Sequence, residues 1–516
     1  MLFNSYSFIF FFLPTALVVF YLIGGRGHHR VAIAWLVAAS LFFYGWWNPA
    51  YLGLILFSML FNYAVGVSLG QERERTIDRR RLILALGIGI NLLLLGYFKY
   101  ANFFVDSVNA VFDTGYQLQK IVLPLAISFF TFQQIAYLVD AYRGLTREYN
   151  FLHYCLFVTF FPQLIAGPIV HHGEMLPQFA RKKTYHPDAL NLAIGITIFS
   201  IGLFKKVVIA DNVAGAASPV FAAAENRAAI DFFTAWTGAF AYTFQLYFDF
   251  SGYSDMAIGL GRMFGIRLPV NFNSPYQATS IIDFWRRWHI TLSRFLRDYL
   301  YIPLGGSHRG TLRRYLNLFV TMLLGGLWHG AGWTFVIWGG LHGLYLMVNN
   351  LWRRIWRWRI DRWWSRGIAR VVTFLAVVVG WVFFRAESFG GALHLLRAMT
   401  NLPSTLHHRI GPLESWLTAI GFSFQGGYLA LQHLEQGAWL VLFLALVWGW
   451  PNTQQLLARF KPALDAHLKP AQQPFHRFWQ RYSWQPNGGW ALITALISAA
   501  ALLSLSRISE FLYFQF

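Results

Sequence analysis

Apolar runs close to twenty residues long recur from Ser7 to Leu505, and they constrain this chain more than any other feature. A helix needs about 20 residues to cross some 30 Å of hydrocarbon, where no water can satisfy a backbone N–H or C=O. Only helices and closed barrels meet that demand, and the two-residue alternation of barrel strands is absent. The hydrophobic share of 56% exceeds the roughly 45–50% of soluble domains, so composition agrees. The fold class is therefore all-α: a polytopic membrane protein with roughly 11–13 transmembrane helices by the ~20-residue criterion, plus re-entrant or interfacial helices.

The charge pattern orients the spans. Forty-two basic against 22 acidic residues give +20, but the basic residues cluster in short loops beside apolar runs, which implies anionic lipid as a partner and not nucleic acid. Ser7 to Ile23 has no cationic segment before it and no small-residue cleavage site after it, so a retained first helix is expected. Arg26 and Arg30 follow, then a span from Val31 to Trp47, an uncharged Asn48-Pro49 turn, a span from Tyr51 to Leu69, and the charged loop reaching Arg81. This alternation places the N-terminus outside and the loops at Arg26 and Arg73 to Arg81 in the cytoplasm.

The next span, Leu82 to Phe98, is expected to end at Lys99-Tyr100. The runs Ile121 to Val139, Phe151 to Val170 and Leu190 to Ala210 are interrupted by Pro124, Pro162, Pro168 and polar residues. Broken helices at membrane depth are tolerated only under protein cover or along a wet cavity, so this region should surround one. Asp231 to Gly265 embeds Gln245, Asp249, Ser251, Ser254 and Asp255 among aromatics, too many polar groups for a lipid-facing helix. Asp283 to Tyr301 puts Trp285, Trp288, Leu292, Leu296 and Tyr299 on one side at 100° per residue. Arg286, Arg287, Ser293, Arg294 and Arg297 fall on the other side, with His289 at the boundary, which predicts an interfacial or re-entrant helix. Further spans are expected at Val371 to Phe384, Ala438 to Trp450 and Trp490 to Leu505, with a polar loop from Pro451 to Gly489 outside the bilayer.

The stretch Thr321 to Gly343 carries His329 and His342 in an otherwise apolar run. An ionisable side chain at membrane depth is rare, and is by default a functional hypothesis. Glycines on both sides of His329 leave room for a ligand or a neighbouring backbone. Along a straight helix His342 would lie about 20 Å away on roughly the opposite face, so the two are not expected to pair. The plainer possibility is a buried neutral histidine that bridges two helices by hydrogen bonds. Elsewhere the chain lacks a G-x-S-x-G elbow, a Walker loop, a dinucleotide fingerprint and a His-Glu-x-x-His pair. A single cysteine, Cys155, excludes an intrachain disulfide, and no Cys/His spacing suggests a metal site. What remains is a histidine suited to general-base work near neutrality and arginines able to hold the phosphates of an activated donor.

The residues that carry this chemistry also carry a resemblance. GGLWHGAGW around Trp328-His329-Gly330, FWRRWH from Phe284 to His289 with Leu292-Ser293 and Leu296-Arg297-Asp298-Tyr299 after it, and YFDFSGYSDMAIG from Tyr247 to Gly259 closely resemble the membrane-bound O-acyltransferase family, nearest to its bacterial alginate O-acetyltransferase branch. LPLAISFFTFQQIAYLVDAYRG (Leu123 to Gly144), FPQLIAGPIV (Phe161 to Val170) and the closing FLYFQF extend the likeness over nearly the whole chain, loosely from about Asn401 to Gly489.

The resemblance implies a single domain over 1–516, with N-terminal helices in 1–98, a catalytic core around a central funnel in 121–350 and C-terminal helices in 367–516. It implies that His329 is catalytic and that His289 is a second funnel histidine. Arg286, Arg294, Arg297, Trp328, Ser293, Asp249 and Asp255 are candidates for binding substrate or donor. No bound cofactor or metal is expected. Acetyl-CoA is the implied cytoplasmic donor, and the acetyl group would end on an exopolysaccharide outside the inner membrane, with the help of periplasmic acetyltransferase partner proteins. Relatives that modify cellulose or other glycans keep the acceptor open. A transporter or a scaffold subunit of a secretion complex remains as an alternative, although no internal repeat is visible.

Overall fold

The computed structural model describes residues 1–71, 77–146, 150–308, 310–355, 362–401, 431–464 and 482–505. The charges from Glu72 to Arg75, residues 356–361, part of the loop from Pro451 to Gly489 and the closing FLYFQF lie outside them. Among the described residues every regular element is helical.

The N-terminal layer comprises α1 (Leu13–Gly25), α2 (His29–Gly45), α3 (Ala50–Gln71) and α4 (Ile77–Leu95). The Asn48-Pro49 turn falls between α2 and α3 as expected. Lys99-Tyr100 is not a helix end: α4 passes through a π-turn at Gly96–Tyr100 into α5 (Ala101–Phe112), so one helical stretch runs from Ile77 to Phe112. Apolar length alone could not reveal this, because the interruption is a single widened turn.

The proline-bearing runs break where Pro124 and Pro162 stand. α6 (Ile127–Arg143) begins after Pro124, and α7 (Phe151–Thr159) stops before the short α8 (Phe161–Leu164). α9 (His172–Phe179) follows, then α10 (Ala189–Phe204), which passes through a π-turn at Lys205–Ala210 into α11 (Asp211–Glu225). α12 (Phe232–Met263) lies almost entirely within the protein. It crosses α10 at glycines spaced one heptad apart: a Cβ on Gly202 would stand 2.5 Å from the Gly252 carbonyl, and one on Gly259 2.7 Å from that of Gly195. Backbones this close explain how two long helices pack without a hydrophobic driving force between them.

The segment Asp283 to Tyr301 is not the one amphipathic helix that its periodicity predicts. It folds as α13 (Ile281–Trp285), a turn, α14 (Ile290–Leu296) and a π-turn at Arg297–Tyr301. The break comes at His289, whose φ of 42° is left-handed and ends regular helix. The expected sidedness survives: Trp285, Trp288, Leu292 and Leu296 are buried, and Arg286 and Arg297 are exposed.

α15 (Thr311–His329), α16 (Trp333–Ile355), α17 (Trp363–Arg385) and α18 (Phe389–Thr400) complete the core, with helices Leu431–Gly449 and Gly488–Leu503 beyond. The described part of the Pro451–Gly489 loop folds back: Thr453 and Leu457 are buried, and Leu464 N–H bonds the Leu268 carbonyl at 3.0 Å. Among the described residues five helical stretches are long and apolar enough to cross a membrane: Phe8–Gly25, Ala50–Gly70, Ile77–Phe112, Ala189–Glu225 and Trp363–Arg385. α12, α15 and α16 carry polar groups that are buried in protein, among them Gln245, Asn317, Thr321 and His342.

Candidate active site

Thr321 to Gly343 is a hairpin and not a single helix. α15 ends at His329, Gly330 is extended, and α16 returns antiparallel from Trp333. The turn depends on close approach: a Cβ on Gly326 would collide with the Phe335 carbonyl, and one on Gly339 with that of Met322. The straight-helix separation of His329 and His342 therefore does not hold. Both rings pack on Trp338, at 5.1 and 4.9 Å between centroids. His342, fully buried, accepts the Trp285 indole N–H at 3.3 Å, which is the plain interhelical role.

His329 is buried among Trp328, Trp338 and Phe384. Its ring centroid stands 6.3 Å from that of His289, with the two planes tilted at 59°. His289 is held by Asn271, whose Oδ1 lies 3.0 Å from His289 Nδ1 and also receives the Thr291 hydroxyl at 3.0 Å and the Thr291 N–H at 3.4 Å. The Thr291 N–H can only donate, so the atom facing it is the amide oxygen. His289 Nδ1 therefore carries the proton toward Asn271, and Nε2 is left as the acceptor nitrogen. Phe250 meets the same imidazole edge to face at 4.8 Å.

A cavity of about 270 Å³ lies against His329, lined by Trp328, Lys99, Trp47, residues 122–129 and the Ile165-Ala166 pair. Trp47, which lines it, directly precedes the uncharged Asn48-Pro49 turn. Lys99 reaches in from the π-turn at Gly96–Tyr100. Its ammonium donates to the Trp328 carbonyl at 2.5 Å, the His329 carbonyl at 3.2 Å and Ser128 Oγ at 3.4 Å, while Tyr100 OH donates to the Leu327 carbonyl at 2.8 Å. Trp328 stacks on Phe132 at 5.1 Å, and its indole N–H is buried without a hydrogen-bond partner among the described residues.

The remaining candidates fall in three places. Arg294 makes a bidentate pair with Glu174, at 2.7 and 3.0 Å. Arg297 grips the neighbouring Asp298 at 2.7 and 2.9 Å, Arg286 is exposed, and the Ser293 hydroxyl bonds the Trp288 carbonyl at 3.4 Å. Asp249 pairs with Lys206 at 2.8 Å, and Asp255 with Lys205 at 2.6 Å and the Thr453 hydroxyl at 2.6 Å. These two carboxylates tie α12 to the α10–α11 helix and are engaged by lysines rather than by the histidines. Sequence reasoning missed Lys99, Tyr100 and Asn271. A lone lysine at the edge of an apolar run was the available signal for the first, and nothing local marks Asn271.

Residues 141–383 match the model of the membrane-bound O-acyltransferase family. The peptidoglycan O-acetyltransferase of Helicobacter pylori is 47% identical over 428 residues, covering 78% of this chain and 80% of that protein. A probable alginate O-acetylase AlgI of Pseudomonas putida is 41% identical over 531 residues, covering both chains completely. The teichoic acid D-alanyltransferase of Bacillus subtilis is 29% identical over 278 residues, 51% of this chain and 69% of that one. With His329 lining a cavity, His289 6.3 Å from it and a full-length match of this kind, the chain belongs to the membrane-bound O-acyltransferase family and is a multi-pass membrane enzyme that acylates polysaccharide.

Proposed function

We propose that the protein moves an acetyl group from cytoplasmic acetyl-CoA to a hydroxyl of an alginate-like exopolysaccharide outside a bacterial inner membrane, with periplasmic acetyltransferase proteins as partners. The observation that carries this reading is the cavity lined by both His329 and Trp47, the residue just before the uncharged Asn48-Pro49 turn, with His289 6.3 Å from His329. In the step proposed, His329 takes the proton of an acceptor hydroxyl as its oxygen attacks the thioester carbonyl. The C–S bond breaks, and the proton passes to the leaving thiolate, giving the free thiol and the O-acetyl ester. Arg286, on the exposed face of the α13–α14 segment, is the arginine best placed to meet donor phosphates, since Arg294 and Arg297 already hold carboxylates.

The peptidoglycan O-acetyltransferase at 47% identity favours a second acceptor, the cell-wall glycan. One experiment separates the readings. Ester-linked acetate is measured in secreted polysaccharide and in purified peptidoglycan from cells carrying wild type or His329→Ala. Loss from the first fraction alone supports the exopolysaccharide, and loss from the second alone supports the cell wall. Acetate retained in both fractions rejects His329 as the base and leaves a transporter or scaffold role.

A further inference from the structure

The geometry points to Lys99 as a positioning residue of the acyl-transfer site: its ammonium caps the end of α15 that carries His329 and cancels the negative pole of that helix where the reacting carbonyl gains charge. The inference rests on His329 being the base. Lys99 itself lies outside residues 141–383, the part of the chain that matches the family model.

A helix leaves its last carbonyls without intrahelical partners and presents about half a negative charge there. α15 ends in this way beside the cavity, where attack on an acyl carbonyl would build an oxyanion. Two adjacent side chains answer three successive carbonyls: Tyr100 takes Leu327, and Lys99 takes Trp328 and His329. Neighbouring residues of a regular helix point about 100° apart. The π-turn at Gly96–Tyr100 sits at this point of the Ile77–Phe112 stretch, and widened turns of this kind often occur at functional sites.

Lys99 is buried, at 9% exposure, and its three acceptors are all neutral: two main-chain carbonyls and the Ser128 hydroxyl. Burial among neutral acceptors disfavours a charged amine, whereas negative charge developing beside it favours the ammonium, so Lys99 is poised to respond to an oxyanion. Here it faces the cavity together with Trp328 and His329. Preorganised charge of this kind acts on the transition state more than on donor binding.

The test uses the full-length protein in lipid nanodiscs with acetyl-CoA and a soluble acceptor, comparing Lys99→Met, Lys99→Gln, Lys99→Arg and His329→Ala. The two uncharged variants should lower kcat per folded enzyme by roughly tenfold to a hundredfold, with KM for acetyl-CoA within about twofold of wild type. Lys99→Arg, which keeps the charge, should recover most of the loss. A purely structural cap would lower yield and thermal midpoint and leave kcat of the folded fraction unchanged. Uncharged variants with kcat within twofold of wild type, or that cannot be recovered folded at all, would overturn the proposal. His329→Ala keeps the two readings apart: full activity there removes the catalytic assignment itself, whereas loss there with normal Lys99→Met activity removes only this one.

Discussion

His289 and His329 lie 6.3 Å apart between ring centroids although one sits in a left-handed turn and the other at a helix end. Asn271 sets the orientation of the first by accepting from its Nδ1. Asn271→Leu should leave that N–H and the Thr291 hydroxyl without their acceptor, costing about 1–3 kcal/mol of stability. Acyl transfer should fall about tenfold or more because the Nε2 lone pair is no longer aimed. Thermal unfolding and a single-turnover assay on the same preparation check both effects.

The three arginines of the α13–α14 region should separate. Arg286→Ala should raise KM for acetyl-CoA several-fold at unchanged thermal midpoint. Arg294→Ala should instead cost roughly 1 kcal/mol, a figure reduced for partial exposure, because Glu174 loses a bidentate partner. Steady-state kinetics beside thermal melts distinguish the two, and identical behaviour would show that Arg286 and Arg294 play the same part.

Lys206 joins Asp211 and Asp249, each at 2.8 Å, deep in the protein. Lys206→Met should be strongly destabilising, about 3–5 kcal/mol, because two carboxylates lose their shared cation. Adding Asp249→Asn should restore part of that loss. Yield and melting temperature of the single and double variants report it. A double variant no more stable than the single would show that the pair does not act as a unit.

At the α10–α12 crossing, Gly202→Leu should abolish folded protein. Its Cβ would meet backbone that cannot move away, at the upper end of the 1–3 kcal/mol or more seen for overpacking. Gly53→Leu, in α3 with nothing within 4 Å of its Cβ, should be tolerated. Fluorescence-detected size exclusion of the two variants checks the contrast.

Orientation is tested with single cysteines on a Cys155→Ser background. Trp47→Cys, 60% exposed and on the cavity wall, should react with an impermeant thiol reagent in intact spheroplasts and should block transfer once modified. Arg366→Cys, exposed near the start of α17, should react only after the membrane is opened. The reverse pattern would invert the topology.

Much of this architecture was legible in the order of residues. Apolar runs of spanning length leave a chain no alternative to helix, and Pro124 and Pro162 mark real breaks. His329 was visible because an ionisable group in such a run is expensive, and the distinct sides of the Asp283–Tyr301 segment followed from its periodicity. What periodicity could not show was where a helix bends or turns back. A π-turn adds one residue without changing hydropathy, so Lys99 read as the end of a span when it lies inside a continuous helix. The reversal at Gly330 brings His329 and His342 onto one tryptophan, and the left-handed His289 lets Asn271 reach its ring. Asp249 and Asp255 read as candidate ligands because their lysine partners stand on another helix. Local sequence determines which segments must leave water. Only tertiary packing decides which carbonyl, carboxylate or ring each buried polar group meets, because those partners come from distant parts of the chain.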